Sequence, residues 1–147
     1  MKYYIIAGEH SGDLHASFLM KEIKLRDKDA EFRFWGGDKM IAQDSEKNLV
    51  KHIKELAIMG FIEVVMHLRT VLGNLSLCKK DLLAWKPDAL ILVDYPGFNL
   101  RIAKFAHKNG IKNYYYISPQ VWAWKKRRAK TMYKYIDHLL TLFPYEP

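Results

Sequence analysis

The segment ALILVDYPGFN, residues 89–99, is the most informative stretch of this sequence. Its first five residues are apolar with no polar alternation, a pattern typical of a strand buried on both faces of a parallel sheet. Asp94 ends the run, and Pro96 with Gly97 favours a turn into a helix that begins near Phe98. The segment therefore predicts a strand, a loop and a helix in succession, the repeating unit of an open α/β sheet.

Asp94 follows this strand directly, at the edge of the sheet where open α/β folds place their ligands. A carboxylate at that position can act on a bound substrate. It can equally cap the next helix, and Asn99 competes with it for that capping role. The residues alone leave these two interpretations of Asp94 open.

Strands and helices alternate along the rest of the chain. Further strands are predicted at residues 2–7, 31–35, 48–50, 113–117 and 138–143. Helices are predicted at residues 14–25, 38–42, 56–85 (broken near Gly73), 98–108 and 125–135. This order predicts a doubly wound, mostly parallel, Rossmann-like α/β sheet in one domain that covers residues 1–147.

The segment GEHSGD, residues 8–13, joins the first predicted strand to the first predicted helix. A tight Gly/Ser loop at a helix N-terminus can hold an anion or a hydroxyl, because free N–H groups point into it. The segment lacks the glycines of a dinucleotide fingerprint and the lysine of a P-loop. By spacing alone, an ordinary turn with Asp13 or Ser11 as the helix N-cap is favoured. The apolar stripe of that helix is predicted to contain Leu14, Phe18, Leu19 and Ile23.

The net charge of +8 lies entirely in the last third of the chain. Residues 1–100 hold 14 basic and 14 acidic side chains, whereas residues 101–147 hold 10 basic and 2 acidic ones. This asymmetry suggests an anionic partner: phosphate, nucleic acid or acidic lipid. The single cysteine, Cys78, fits a reducing cytoplasm, and no run of 18 apolar residues is present.

The segment FIEVVMHLRTVL, residues 61–72, has more apolar residues than one buried helix stripe needs. Burial in the core is the simpler interpretation, and contact with lipid is the alternative. In that alternative Val64 and Leu68 pack inward. The predicted membrane contacts are then Ile62, Val65, Arg69, Val71 and Leu72, with Lys125, Lys126, Arg127 and Arg128 attracting an anionic surface.

Four segments, in order, resemble one family. They are AGEHSGD (7–13), ELAIMGFIEV (55–64), KPDALILVDYPGFN (86–99) and YISPQVWAWKKRR (116–128). They resemble the N-terminal half of lipid-A-disaccharide synthases, inverting glycosyltransferases with the two-domain glycosyltransferase-B fold. The resemblance covers nearly the whole chain.

The resemblance implies a reaction and its partners. UDP-2,3-diacylglucosamine donates its sugar to the 6-hydroxyl of 2,3-diacylglucosamine 1-phosphate, which gives a β-1,6 disaccharide for lipid A and releases UDP. The resemblance implies that the N-terminal half binds the acceptor and that a C-terminal domain binds the nucleotide. That C-terminal domain is expected to be missing here. We therefore expect a chain that is inactive alone, works in the cytoplasm, lies peripherally on the inner membrane and needs no cofactor or metal.

The resemblance also implies site residues. Asp94 matches the essential carboxylate and is predicted to be the base for the acceptor hydroxyl, with Glu9 as the second candidate and His10 as the third. The predicted substrate-binding residues are Gly8, His10, Ser11, Gly12, Asp13, Pro96, Asn99, Ser118, Pro119 and Trp122.

Two other functions are consistent with parts of the sequence. A Rossmann-like nucleotide-binding enzyme is disfavoured by the missing GxGxxG motif. A nucleic-acid-binding module is favoured only by the basic run at 125–128, which no aromatic stacking pattern or recognition motif surrounds. We therefore expect no nucleic-acid partner.

Overall fold

A computed structural model describes residues 1–56, 68–116, 130 and 134–140. Its six strands form one sheet in the order β3-β2-β1-β4-β5-β6, and every neighbouring pair is parallel. The strands are β1 Lys2–Ala7, β2 Glu31–Gly36, β3 Leu49–His52, β4 Ala89–Val93, β5 Asn113–Tyr116 and β6 His138–Leu140. The parallel α/β fold expected from the sequence is confirmed.

Helices follow most of the strands. They are α1 His10–Arg26, α2 Asp38–Gln43, α3 Ile53–Leu56, α4 Leu68–Trp85 and α5 Pro96–Lys108, with a short 3-10 turn at Glu46–Asn48. The central strands β1 and β4 have the predicted bounds. The predicted break near Gly73 is wrong, because α4 runs through this residue without interruption.

The core has one layer on each face of the sheet. Tyr4, Ile6 and Leu92 face α4 and α5, whereas the alternate residues Ile5 and Val93 face α1 and α2. Because both faces of β1 and β4 are covered, these strands read as continuous apolar runs.

A polar network ties α4 to the sheet. Asp81 of α4 accepts a forked pair of hydrogen bonds from Arg33 at 2.6 and 2.7 Å and another from the Tyr4 hydroxyl at 2.7 Å. The Tyr4 oxygen also accepts a bond from the Trp35 indole N–H at 2.8 Å. Burial raises the pKa of the Tyr4 hydroxyl, so it stays protonated and donates to Asp81. The network fixes α4 across β1 and β2.

The predicted apolar stripe of α1 is wrong at Phe18, whereas Leu19 and Ile23 of the same stripe pack against the core. The helix starts at His10 rather than at Leu14, and it buries Gly12, Ala16 and Met20 while Phe18 is 58% exposed. A Cβ on Gly12 would lie 3.3 Å from the Ala7 Cβ, so small side chains let α1 pack close to the sheet.

Several predictions lie outside the described residues. They are the part of the predicted helix at 57–67, the inward packing of Val64, the ends of β5 and β6 beyond residues 116 and 140, most of the predicted helix at 125–135, the site residues Ser118, Pro119 and Trp122, and the predicted membrane contacts Ile62, Val65, Lys125, Lys126, Arg127 and Arg128.

Candidate active site at the carboxyl edge of the sheet

The strand order creates a crevice between β1 and β4. From β1 the chain proceeds outward through β2 to β3, and from β4 it proceeds in the opposite direction through β5 to β6. The loops after β1 and β4 therefore diverge, and ligands of open α/β sheets bind where this happens. Ala7 pairs with Val93, so the two loops start side by side with Gly8 next to Asp94.

A cleft of about 450 Å³ opens beside this crevice. Within the described part of the chain it is lined by Gly8, Glu9, His10, Ile53, Lys54, Leu56 and Tyr95. Three of these residues were predicted from the sequence, and the other four were missed. Tyr95 lies in the DYPGFN segment and Leu56 in the ELAIMGFIEV segment, so both could have been suspected, whereas Ile53 and Lys54 carry no local signal.

Asp94 has the electrostatics expected of a base. Its carboxyl is half-buried, and burial, followed by the nearby negative charge of Glu9, raises its pKa above the usual range, while the Tyr95 backbone N–H opposes this shift. A higher pKa makes the ionised carboxylate a stronger proton acceptor. The structure thus brings both predicted carboxylates to one crevice.

The capping interpretation of Asp94 is wrong in this structure. Helix α5 begins at Pro96 with Tyr95 as its N-cap residue, and no side-chain capping bond is found within the described ranges. Asp94 and Tyr95 instead have φ values of +47° and +49°, the left-handed region that residues other than glycine seldom occupy. Two such residues in succession mark a loop held in a special conformation.

Asn99 is also not a cap, and it has no exposed surface. It lies within α5, and its Nδ2 donates to the carbonyl oxygens of Asp94 at 2.8 Å and of Ile6 and Val93 at 3.4 Å each. In this arrangement Asn99 is out of reach of a ligand in the cleft. Pro96 is half-buried at the first position of the helix.

Asp13 caps α2 rather than its own helix. Its Oδ1 accepts bonds from the N–H groups of Gly37 at 2.8 Å and Met40 at 3.1 Å, and its Oδ2 accepts one from Lys39 at 3.2 Å. The N-cap residue of α1 is Glu9, and Ser11 is exposed, so the predicted cap of α1 is wrong. Buried Asp13 and Gly12 therefore support the loop from beneath instead of facing the cleft.

Gly8 allows the Tyr95 ring to lie against the main chain. A Cβ on Gly8 would lie 2.4 Å from two ring atoms of Tyr95, so a larger residue would displace the ring. The ring centroid of Tyr95 also lies 5.6 Å from that of Phe98. Gly8 thus shapes the wall of the cleft.

Two features bear on cofactors and membranes. Across the described ranges, no group of three or more His, Cys, Asp or Glu side chains could hold a metal ion. In the same residues, no helix is both long and apolar enough to cross a bilayer.

The fold is shared with enzymes that act on nucleotide sugars. The UDP-GlcNAc 2-epimerase from Neisseria meningitidis bound to UDP-GlcNAc superposes with a TM-score of 0.64 at 10% identity, over 95% of this chain and 40% of that one. The UDP-GlcNAc 2-epimerase from Methanocaldococcus jannaschii superposes with a TM-score of 0.60 at 18% identity, over 96% and 39%. The fold class is therefore that of one half of a glycosyltransferase-B architecture.

Sequence comparison narrows this class to one family. The model of the lipid-A-disaccharide synthetase family matches residues 3–147. The lipid-A-disaccharide synthase of Chromohalobacter salexigens is 38% identical to this chain over 146 residues. That of Geobacter metallireducens is 42% identical to this chain over 142 residues. The chain belongs to the lipid-A-disaccharide synthetase family. The two matches include 99% and 97% of this chain. They span only 37% and 36% of the length of the two relatives.

Proposed function

We propose that this chain is the acceptor-binding half of an inverting glycosyltransferase that makes the β-1,6 disaccharide of lipid A. Family membership supports the reaction. The main observation that supports the site is that Asp94 and Glu9 follow the paired strands β4 and β1, where the charge of Glu9 raises the pKa of Asp94. The comparisons do not favour the alternatives of a nucleotide-binding or nucleic-acid-binding module.

In the proposed step Asp94 accepts the proton of the acceptor 6-hydroxyl. The freed oxygen forms a bond to the anomeric carbon of the donor sugar, and the bond from this carbon to the UDP oxygen breaks, with the electron pair leaving on UDP. Attack opposite the leaving group inverts the anomeric configuration. Glu9 raises the proton affinity of Asp94 through its charge, which assists this transfer.

The cleft beside Asp94 suits a phosphorylated, acylated sugar. Lys54 and His10 supply basic groups for the acceptor phosphate, and Ile53 and Leu56 supply apolar surface for the acyl chains. The Tyr95 ring offers a flat surface for a sugar ring. We propose that UDP is bound mainly by a part of the protein beyond this chain.

The test of the reaction uses a protein that joins this chain to the remaining length found in its relatives. Incubation with UDP-2,3-diacylglucosamine and 2,3-diacylglucosamine 1-phosphate should give UDP and a disaccharide whose new linkage is β by NMR. The chain alone should give no product and show no saturable UDP binding at micromolar concentration by calorimetry. A linkage that retains the donor configuration, or tight UDP binding by the chain alone, would contradict the proposal.

We also propose that the protein works in the cytoplasm, peripherally on the inner membrane, because its proposed substrates carry acyl chains.

The start of α4 is the candidate membrane surface. Lys2 Nζ donates to the Trp85 carbonyl at 3.1 Å, which places the end of α4 at the amino edge of the sheet. The start of this helix therefore lies towards the carboxyl edge of the sheet. There Leu68 and Leu72 are 59% and 53% exposed, Arg69 is exposed and Val71 is half-buried. The expectation that Leu68 packs inward is wrong.

Vesicle binding tests this membrane surface. The double substitution Leu68→Ser/Leu72→Ser should weaken sedimentation with phosphatidylglycerol vesicles about tenfold, because exposed leucines contribute about 25 cal/mol per Å² when buried in lipid. Leu83→Ser is the matched control, since Leu83 is 48% exposed at the other end of α4. Equal losses in both variants, or no binding by the parent, would argue against this surface.

A further inference from the structure

We infer that Asn99 and Tyr115 are positioning residues that hold the main-chain carbonyl of Asp94 and thereby set the direction of its carboxyl. The catalytic consequence rests on the proposed function, whereas the structural consequence can be measured without it. Neither side chain needs to touch a substrate for this role.

The main chain of Asp94 is held on both sides. Its N–H donates to the Tyr116 carbonyl at 3.3 Å, which continues the ladder between β4 and β5. Its carbonyl oxygen accepts bonds from Asn99 Nδ2 at 2.8 Å and from the Tyr115 hydroxyl. Because a left-handed conformation at a residue other than glycine is unfavourable, it persists only where surrounding contacts impose it. These three contacts come from β5 and α5, two separate elements.

The environment of Asn99 indicates that its amide group is kept for donation. Three carbonyl oxygens surround its Nδ2, but its Oδ1 is buried and has no hydrogen-bond partner among the described residues. A buried acceptor without a partner is destabilising, and an apolar residue of the same size would avoid it. An Asn at this position therefore makes sense if its donation to the Asp94 carbonyl matters more than the unsatisfied oxygen.

Fixing Asp94 also fixes the wall of the cleft. Tyr95 follows in the same left-handed conformation, with φ 49° and ψ 58°, and its ring packs over Gly8. If the Asp94 carbonyl were released, both residues could return to ordinary backbone angles. The Asp94 carboxyl would then turn away from Glu9, the charged group whose negative charge raises its pKa among the described residues, and the Tyr95 ring would leave the cleft.

The experiment compares Tyr115→Phe and Asn99→Leu with the parent in the full-length protein. We expect each substitution to lower kcat by about 10- to 100-fold with KM changed less than about twofold, because a displaced base impairs the chemical step rather than binding. Tyr114→Phe is the matched control, since Tyr114 is the preceding residue of β5 and stacks on His138 at 4.8 Å. It should leave both constants unchanged.

A second measurement does not depend on activity. Titration of the ¹³C-labelled Asp94 carboxyl by NMR should show its pKa falling towards the usual aspartate range in Tyr115→Phe and Asn99→Leu, because the carboxyl becomes more exposed and moves away from Glu9. A merely destabilised but correctly arranged protein would keep the pKa of the parent.

The outcomes separate this inference from the proposed function. Folded variants with the parent kcat and the parent Asp94 pKa would overturn the inference. Full turnover by Asp94→Asn would overturn the assignment of the base, and the titration would still decide whether the carbonyl contacts position Asp94. If Asn99→Leu does not fold, Tyr115→Phe decides, because it removes a single oxygen atom.

Discussion

Replacing Asp94 with Asn is expected to lower turnover at least ~100-fold in a protein that carries this chain and the remaining length of its relatives. The amide has nearly the shape of the carboxyl but cannot accept the proton of the acceptor hydroxyl. Steady-state assays at saturating acceptor measure this loss. Asp29→Asn, at an exposed position, is the control and should retain the parent rate. Near-normal turnover in Asp94→Asn would mean that Asp94 is not the base.

The pH dependence of turnover provides a second test of Asp94 as the base. Asp94 must be ionised to act as a base, and its pKa is raised by burial and by Glu9. Activity should therefore rise with pH through a range above that of an ordinary aspartate. Glu9→Gln removes the neighbouring negative charge, so the pKa of Asp94 falls and the rise in activity moves to lower pH. If Glu9→Gln abolishes turnover while Asp94→Asn retains it, Glu9 is the base.

Stability distinguishes lost chemistry from lost structure in the same variant. A raised pKa means that the folded state disfavours the ionised Asp94 relative to the unfolded chain. The free energy of unfolding therefore decreases as pH rises from the unfolded to the folded pKa of this group. Asp94→Asn removes this unfavourable charge, and its midpoint of thermal unfolding at pH 7 should equal or exceed that of the parent. A clear decrease would mean that the turnover loss reflects unfolding.

Replacing Asp13 with Ala is expected to lower the free energy of unfolding by ~2–4 kcal/mol. The substitution removes the acceptor for three N–H groups at the start of α2, and two of these, on Gly37 and Met40, belong to buried residues. Urea unfolding followed by circular dichroism measures the change.

Two comparison variants show which helix Asp13 supports. Asp13→Asn keeps an acceptor for Gly37 and Met40 but points an amide N–H₂ at the Lys39 N–H, so its loss should be smaller than that of Asp13→Ala. Ser11→Ala tests the predicted cap of α1 and should change stability by less than ~0.5 kcal/mol, because Ser11 is exposed. A large effect of Ser11→Ala with a small effect of Asp13→Ala would reverse our assignment of the cap.

Most of the fold could be predicted from local pattern. The run at 89–93 marked β4 with its observed bounds, and the tyrosine- and isoleucine-rich segment at 2–7 did the same for β1. A strand buried on both faces is a continuous apolar run, so it can be recognised from its own residues without knowing which other strands it pairs with. The alternation of strands and helices then restricts the topology to a parallel, doubly wound sheet.

The face that each helix buries was harder to predict. Phe18 looked like a core residue from its spacing, but α1 lies so close to β1 that Gly12 and Ala16 occupy the interface instead. Periodicity shows that a helix has an apolar side, but it does not show how near the sheet the helix lies.

The candidate site divides in the same way. Asp94 could be found from the sequence because it directly follows a predicted strand, and Glu9 because it lies in the AGEHSGD segment just after the first strand. Four features could not be found in this way: the electrostatic effect of Glu9 on Asp94, the burial of Asn99, the capping of α2 by Asp13 and the contribution of Lys54 to the cleft. Each of these depends on segments that are far apart in the chain, such as the Asn99 amide and the Ile6 carbonyl, 93 residues apart. Local sequence specifies a strand and the residue at its end. The neighbours of that residue depend instead on the strand order, which places β4 beside β1 and brings the loops that follow these strands together.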